Sequence, residues 1–202
     1  MEYRISKEKL IDILIIWDGF IKRTIRLIAC GGTALTLLGI KPSTKDVDFL
    51  VSDLNECENL IKLMKSLGYN KVTGSGWARD DGFIFDIFCG KKVHTTELLT
   101  FPLIRGGNIP FEIGTKHICL GILNFYDIII SKMFRGATAD VEDCISLVEN
   151  RKINLRKLVS RYKETADYDI NPRRMMINLI VFLRAMEKRG FRVKNYLKKL
   201  EE

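Results

Sequence analysis

The chain has 202 residues, 47% hydrophobic and 29% charged, with a formal net charge of +8. Those proportions exclude a disordered polyelectrolyte and suit one globular domain, or one domain with an appended bundle. Asp12 and Asp18 interrupt the longest early apolar run, so no stretch is long enough to span a bilayer and no membrane partner is expected.

The N-terminal MEYRISKEK has neither the apolar core nor the cleavage site of a secretory signal. Cys30, Cys57, Cys89, Cys119 and Cys144 are odd in number and form no C-x-x-C pair. Reduced, mostly buried thiols in a cytoplasmic protein are expected, and a zinc site is not. The charge is uneven: from Arg151 onward lie 15 of the 33 Lys and Arg residues but 6 of the 25 Asp and Glu. That surplus suits either an anionic partner for the last quarter or a solvated helical surface.

In chain order, Ser6 is placed to cap a helix from about Lys7 to Lys22, with Leu10, Leu14, Trp17 and Ile21 at helical spacing. Ile25 to Cys30 reads as a strand, Gly31 and Gly32 as a turn, and Thr33 to Leu38 as a short helix ended by Gly39. Pro42 and Ser43 mark a loop. Asp46 to Val51 then alternates, so Asp46 and Asp48 share one face, about 7 Å apart, while Val47, Phe49 and Val51 share the other. Carboxylates so spaced can hold a hard divalent cation from one side. A glycine turn at a helix N-terminus offers N–H groups and a positive dipole end to phosphate.

Asn55 to Leu67 reads as a helix with Leu60, Leu63, Met64 and Leu67 inward and Gly68 at its end. Tyr69 to Gly76 is a short strand leading into a loop, and Asp81-Gly82 carries a turn signal. In the apolar strand GFIFDIFCG, Asp86 shares a face with Ile84 and Phe88. A carboxylate there needs a partner: either Lys or Arg, or a cation shared with Asp46 and Asp48, which is the more economical. His94 to Leu120 forms a hairpin or two short strands around Gly106-Gly107-Asn108. His94 and His117 have no second ligand at metal spacing and read as structural or exposed. Helices follow at about 124–133, 140–149, 155–166 and 172–188, with Pro172 in a first turn, and a last basic turn or two from Val193 to Leu200. Mixed elements first and helices last give an α+β class, with an α/β core over 1–122 and a helical C-terminal domain over 123–202, basic from about 151.

Gly31-Gly32, then Asp46-x-Asp48, then Asp86 on a later strand resembles the polymerase-β-type nucleotidyltransferase superfamily, whose core is a mixed sheet. More closely it is similar to the minimal nucleotidyltransferases of toxin–antitoxin and abortive-infection systems. The resemblance covers about Ile25 to Phe88 well and the following helices weakly. It implies transfer of a nucleoside monophosphate from a nucleoside triphosphate (NTP) to an acceptor hydroxyl. Asp46, Asp48 and Asp86 would be the catalytic, metal-binding residues for two Mg2+ ions. Gly31, Gly32 and Thr33 would lie at the phosphates, with Lys45, Lys132 and Asp140 (or Asp143) adding to the nucleotide site. Gly32 departs from the pattern, since many members carry serine there; Thr33 or Ser43 would have to replace its hydroxyl.

The acceptor is RNA (a tRNA end in particular), a protein hydroxyl or a small molecule. The basic C-terminal part favours RNA, with Arg151, Arg156, Lys157 and Arg161 as contacts. A cognate antitoxin protein is a further partner that the resemblance implies. The competing class is a non-catalytic module of the same fold that binds RNA or a partner protein.

Overall fold

A computed structural model describes residues 4–80 and 82–201. The first three residues of the MEYRISKEK segment and Asp81 of the Asp81-Gly82 turn lie outside the described residues. The elements are β1 (Ile5–Ser6), α1 (Lys7–Asp18), β2 (Ile25–Ala29), α2 (Gly31–Leu37), β3 (Ser43–Thr44), β4 (Asp46–Val51), α3 (Leu54–Ser66), β5 (Asn70–Lys71), β6 (Gly76–Ala78), β7 (Ile84–Cys89), β8 (Lys92–Val93), β9 (Thr96–Glu97), β10 (Asn108–Pro110), β11 (Ile118–Leu123), α4 (Phe125–Arg135), α5 (Thr138–Asn150), α6 (Leu155–Ala166), α7 (Pro172–Lys188) and α8 (Lys194–Glu201). The class is α+β. Among the described residues no helix is long and apolar enough to cross a membrane. The chain divides into two compact units, residues 1–93 with 100–124, and residues 94–99 with 125–202.

The first unit is built on a seven-stranded mixed sheet in the order β10-β11-β2-β4-β7-β6-β5. β11 runs parallel to β2 and β4 parallel to β7, while β2 and β4 are antiparallel. Side chains alternate across such strands, so Val47, Phe49 and Val51 of β4 face one way with Phe85 and Ile87 of β7, and all five are buried. Trp17 of α1 and Tyr69 pack on Phe85 with ring centroids 5.0 and 5.4 Å away. This aromatic group anchors one side of the sheet and leaves the other to the carboxylates.

Three local expectations change. α1 stops at Asp18 and not at Lys22. The Asp18 carboxylate accepts the N–H groups of Lys116, His117 and Ile118 at 2.9, 2.7 and 2.7 Å, so the chain turns away to meet the start of β11. Ile21 stays buried outside the helix. Gly31 and Gly32 open α2 instead of preceding it. The reading of all thiols as reduced is also corrected, because Cys57 of α3 and Cys89 of β7 are joined as a disulfide with Cα atoms 6.0 Å apart. The two are 32 residues apart in sequence, and only the packing of α3 on the sheet brings them together.

The second unit is largely helical, with α4 touching α5, α6 and α7. Phe134 of α4 meets Tyr162 of α6 edge-on, centroids 5.0 Å apart, and the Tyr162 hydroxyl donates to the Met175 carbonyl at 2.8 Å. α4 ends where Gly136 takes φ +73°, and Asn178 Nδ2 donates to the Met133 carbonyl at 2.8 Å. That side chain satisfies one of the carbonyls a helix end leaves open.

Candidate functional site

β2 delivers the chain to α2 directly beside β4. The Cys30 N–H donates to the Asp48 carbonyl at 3.1 Å, and Gly31 follows with φ +55°. A Cβ at Gly31 would stand 2.2 Å from Asp48 Oδ2. Glycine is therefore needed twice, for the left-handed backbone and for the close approach of the carboxylate to the first turn of α2. A Cβ at Gly32 would stand 2.5 Å from Thr44 Oγ1. The Thr44 hydroxyl thus fills the space where a serine side chain at position 32 would begin.

Two threonines fix the entry to β4. Thr33 Oγ1 accepts the Asp48 N–H at 2.8 Å and donates to the Asp46 carbonyl at 3.4 Å, while Thr44 Oγ1 donates to that same carbonyl at 2.9 Å. Thr33 is fully buried, so its hydroxyl holds the strand that carries the acids. Thr44 was not singled out from the sequence; its position two residues before Asp46 is the only local signal.

The parallel register pairs Asp48 with Asp86 and Asp46 with Ile84. Registered neighbours on adjacent strands point the same way and lie about 5 Å apart, so Asp46, Asp48 and Asp86 share one face. Asp46 is exposed, Asp86 half-buried and Asp48 6% exposed. Asp86 Oδ1 accepts the Ser75 hydroxyl at 2.6 Å. Among the described residues Asp86 has no ion-pair partner, so a salt bridge to Lys or Arg is not what holds it. Opposite it on β6 stands Gly76, where a Cβ would lie 3.4 Å from Asp86 Oδ1. Ser75, in the G-S-G stretch before β6, was also missed from the sequence. Lys45 is exposed.

Among the described residues no group of three or more His, Cys, Asp or Glu side chains is gathered closely enough to hold a metal ion. The shared face and the all-oxygen donor set nevertheless suit a hard divalent cation such as Mg2+. His94 takes φ +52°, and its Nε2 lies 3.4 Å from Arg135 Nη1.

In the second unit, Lys132 and Asp140 come together, but with each other. Lys132 Nζ lies 3.2 Å from Asp140 Oδ1 and 2.8 Å from Asp143 Oδ2, and the lysine is 3% exposed. Arg135 forks onto Asp140 at 2.8 and 2.5 Å, and Asp140 Oδ2 also accepts the Ala137 N–H at the start of α5. Burial opposes the charge on Lys132, but Asp143 and Asp140 outweigh it and raise its pKa. Burial likewise opposes charge on Asp140, and Arg135 and Lys132 outweigh it and hold that carboxyl below its ordinary range. Of the cations expected to meet RNA, Arg161 pairs with the buried Asp127 at 2.5 Å, Lys157 and Arg161 lie over the Tyr126 ring, and Arg151 Nη1 donates to the Asn150 carbonyl. Arg156 is exposed.

Among curated proteins, none matches the chain. One solved structure, an antigenic nucleotidyltransferase-like protein from Paracoccidioides brasiliensis, is 15% identical over 86% of this chain and 94% of its own, with a TM-score of 0.45. That likeness is too loose to carry an argument. Residues 106–190 match the model of a family described as nucleotidyltransferase of unknown function (DUF6036). The matched segment contains Lys132, Asp140 and Asp143 and begins after Asp46, Asp48 and Asp86, so it bears on the later helices and not on the three acids. Over that segment, the chain is similar to a nucleotidyltransferase family.

Proposed function

We propose that the protein moves a nucleoside monophosphate from an NTP to an acceptor hydroxyl. The observation that carries this reading is the register of Asp48 with Asp86 on one sheet face, with the Asp48 carboxylate packed against Gly31 at the first turn of α2. Asp46, Asp48 and Asp86 would hold two Mg2+ ions. Bound there, such ions supply charge neutralisation for the attacking and leaving oxygens of an in-line displacement at the α-phosphorus. The protein's own part is positioning. The amides of Gly31 and Gly32 would meet the β- and γ-phosphates, with Lys45 adding charge at the entry to β4. Asp86, whose Oδ1 is held by Ser75, would take the proton of the acceptor hydroxyl.

RNA, a tRNA end in particular, is the acceptor that the basic C-terminal part favours, because Lys and Arg contacts to phosphate supply affinity without sequence reading. A cognate antitoxin protein remains the partner implied by the toxin-like resemblance. A second reading, a non-catalytic module that binds RNA or a partner protein, is favoured by the absence of a gathered three-acid cluster among the described residues.

One assay separates the two. The protein is incubated with labelled NTPs, Mg2+ and total RNA or cell extract, beside Asp48→Ala. Label transfer that falls about 10³-fold in the variant, a loss of about 4 kcal/mol in transition-state stabilisation, supports the enzyme. No transfer by either protein, with RNA or protein binding retained by both, supports the module.

A further inference from the structure

α1 is apolar on two sides. Leu10, Leu14 and Trp17 are buried, whereas Ile15, Ile16 and, just past the helix, Phe20 are 48%, 61% and 59% exposed. Beyond this strip lies a cavity of about 350 Å³ whose lining includes buried Ile21 and Ile25 and, from α3, Leu63. Lys22, Arg23 and Lys62 complete its cationic edge, and no Asp or Glu lines it. All three cations are exposed, and none has an ion-pair partner among the described residues.

Several cations of the same unit are engaged. Arg26 binds Glu56 and Asp53, Lys65 lies over Trp77, Arg79 over Tyr69, and Lys9 over Phe83. What distinguishes Lys22, Arg23 and Lys62 is that they ring an apolar cavity with no acid in its lining. Apolar surface of this kind on a folded chain marks a place where something docks.

We propose that this groove docks an acidic amphipathic helix of a partner protein. A Leu- or Ile-sized side chain enters the cavity, a further apolar residue lies on Ile16 and Phe20, and carboxylates meet Lys22, Arg23 and Lys62. Asn59 and Ser66 also line the cavity, but nucleic acid would leave the Ile16–Phe20 strip bare. A second copy of this chain meeting the groove by two-fold symmetry would set one cationic rim against another. Exposed ion pairs contribute little individually, so the buried apolar anchor supplies the affinity and the cations supply orientation and partner choice. The inference uses none of the residues assigned to nucleotidyl transfer, and its test requires no NTP.

The test uses the full chain and a fluorescein-labelled helical peptide with Leu at positions i, i+3, i+4 and i+7 and Glu beside them. Its counterpart carries Lys in place of every Glu. Fluorescence anisotropy at physiological salt is expected to give a Kd on the order of 10–100 µM for the acidic peptide and no saturable binding for the Lys peptide. Arg23→Glu with Lys62→Glu is expected to weaken binding at least tenfold, Phe20→Ser to weaken it similarly, and Arg156→Glu in the other unit to leave it unchanged. Circular dichroism checks that each variant is folded. Failure of the acidic peptide to bind overturns the proposal, as does equal binding of both peptides or insensitivity to Arg23→Glu with Lys62→Glu. Binding of a labelled RNA, ATP or phosphatidylserine vesicles that is lost in that double variant also overturns it. So does a dimer in sedimentation that Phe20→Ser dissolves.

Discussion

Two groups of carboxylates, one in each unit, are treated in opposite ways. Asp140 and Asp143 are neutralised in place: Lys132 bridges them from a 3% exposed position, and Arg135 forks onto Asp140. Asp86 takes only the neutral Ser75 hydroxyl, and Asp48 lies where a glycine has been cleared against the first turn of α2. Burying charge is costly unless the partner is close and well aligned. The first arrangement meets that cost with cations of the protein itself, so removing one partner should register as lost stability. In the second, Asp86 has no ion-pair partner among the described residues, so its substitution should register in what the site binds.

The largest expected effect is therefore on the fold of the second unit. Lys132→Met leaves the buried Asp140 and the partly buried Asp143 without their shared ammonium, and a loss of about 3–5 kcal/mol is expected in urea unfolding. The pH profile sharpens this. Asp140 is held low, so its contribution is present above the unfolded value of about 4 and is lost as pH falls through the lowered one. Lys132 is raised, so its contribution is full below the unfolded value of about 10.4 and is lost as pH climbs through the raised one. Wild type should lose stability at both extremes. Lys132→Met should lack the alkaline limb, and an alkaline limb that persists would mean the pair is not what titrates.

Gly31→Ala comes next. It forces a Cβ to 2.2 Å from Asp48 Oδ2 on a backbone at φ +55°. The left-handed backbone alone costs about 1–2 kcal/mol, and displacement of Asp48 adds to it. A loss of about 2–3 kcal/mol is expected, with metal-dependent NTP binding abolished. Unchanged NTP binding would mean that the close approach of Asp48 to α2 has no part in the site.

How far these features could be read from the chain follows from their range. The alternation of Asp46 to Val51, the apolar strand around Asp86 and the glycines that end α2 and α3 are local patterns, and the elements form where those patterns run. Thr33 and Thr44 were harder to assign, because their hydroxyls act on the backbone of β4 across a turn. Cys57 with Cys89, and Asp18 with residues 116–118, join positions tens of residues apart. No periodicity encodes such pairs. The same holds for Lys132, since an isolated lysine on an apolar stripe calls for an anion but does not say whether a phosphate or a carboxylate supplies it.

Asp18→Asn tests one of these long-range joints. Burial pushes the Asp18 carboxyl up, but three N–H donors from Lys116, His117 and Ile118 outweigh it and hold it below the ordinary range. Its contribution is thus present above about pH 4 and lost on further acidification. The amide keeps one acceptor oxygen, so about 1–2 kcal/mol should be lost at neutral pH, with a flatter acid limb. An equally steep acid limb in the variant would assign that limb to other carboxylates.

The smallest effect on stability, under about 1 kcal/mol, is expected from Asp86→Asn, and it bears most directly on the contrast between the two groups. The amide is the same size, and its oxygen can still accept the Ser75 hydroxyl. No cation in the described residues loses its partner. Thermal unfolding should therefore be nearly superimposable on wild type, while Mg2+ binding measured by calorimetry in the presence of a non-hydrolysable NTP should weaken at least tenfold. The two readouts must separate if Asp86 belongs to a binding site. If both fall together, Asp86 is a structural acid of the same kind as Asp140, and the division between neutralised and ligand-facing carboxylates fails at the residue where it was drawn most sharply.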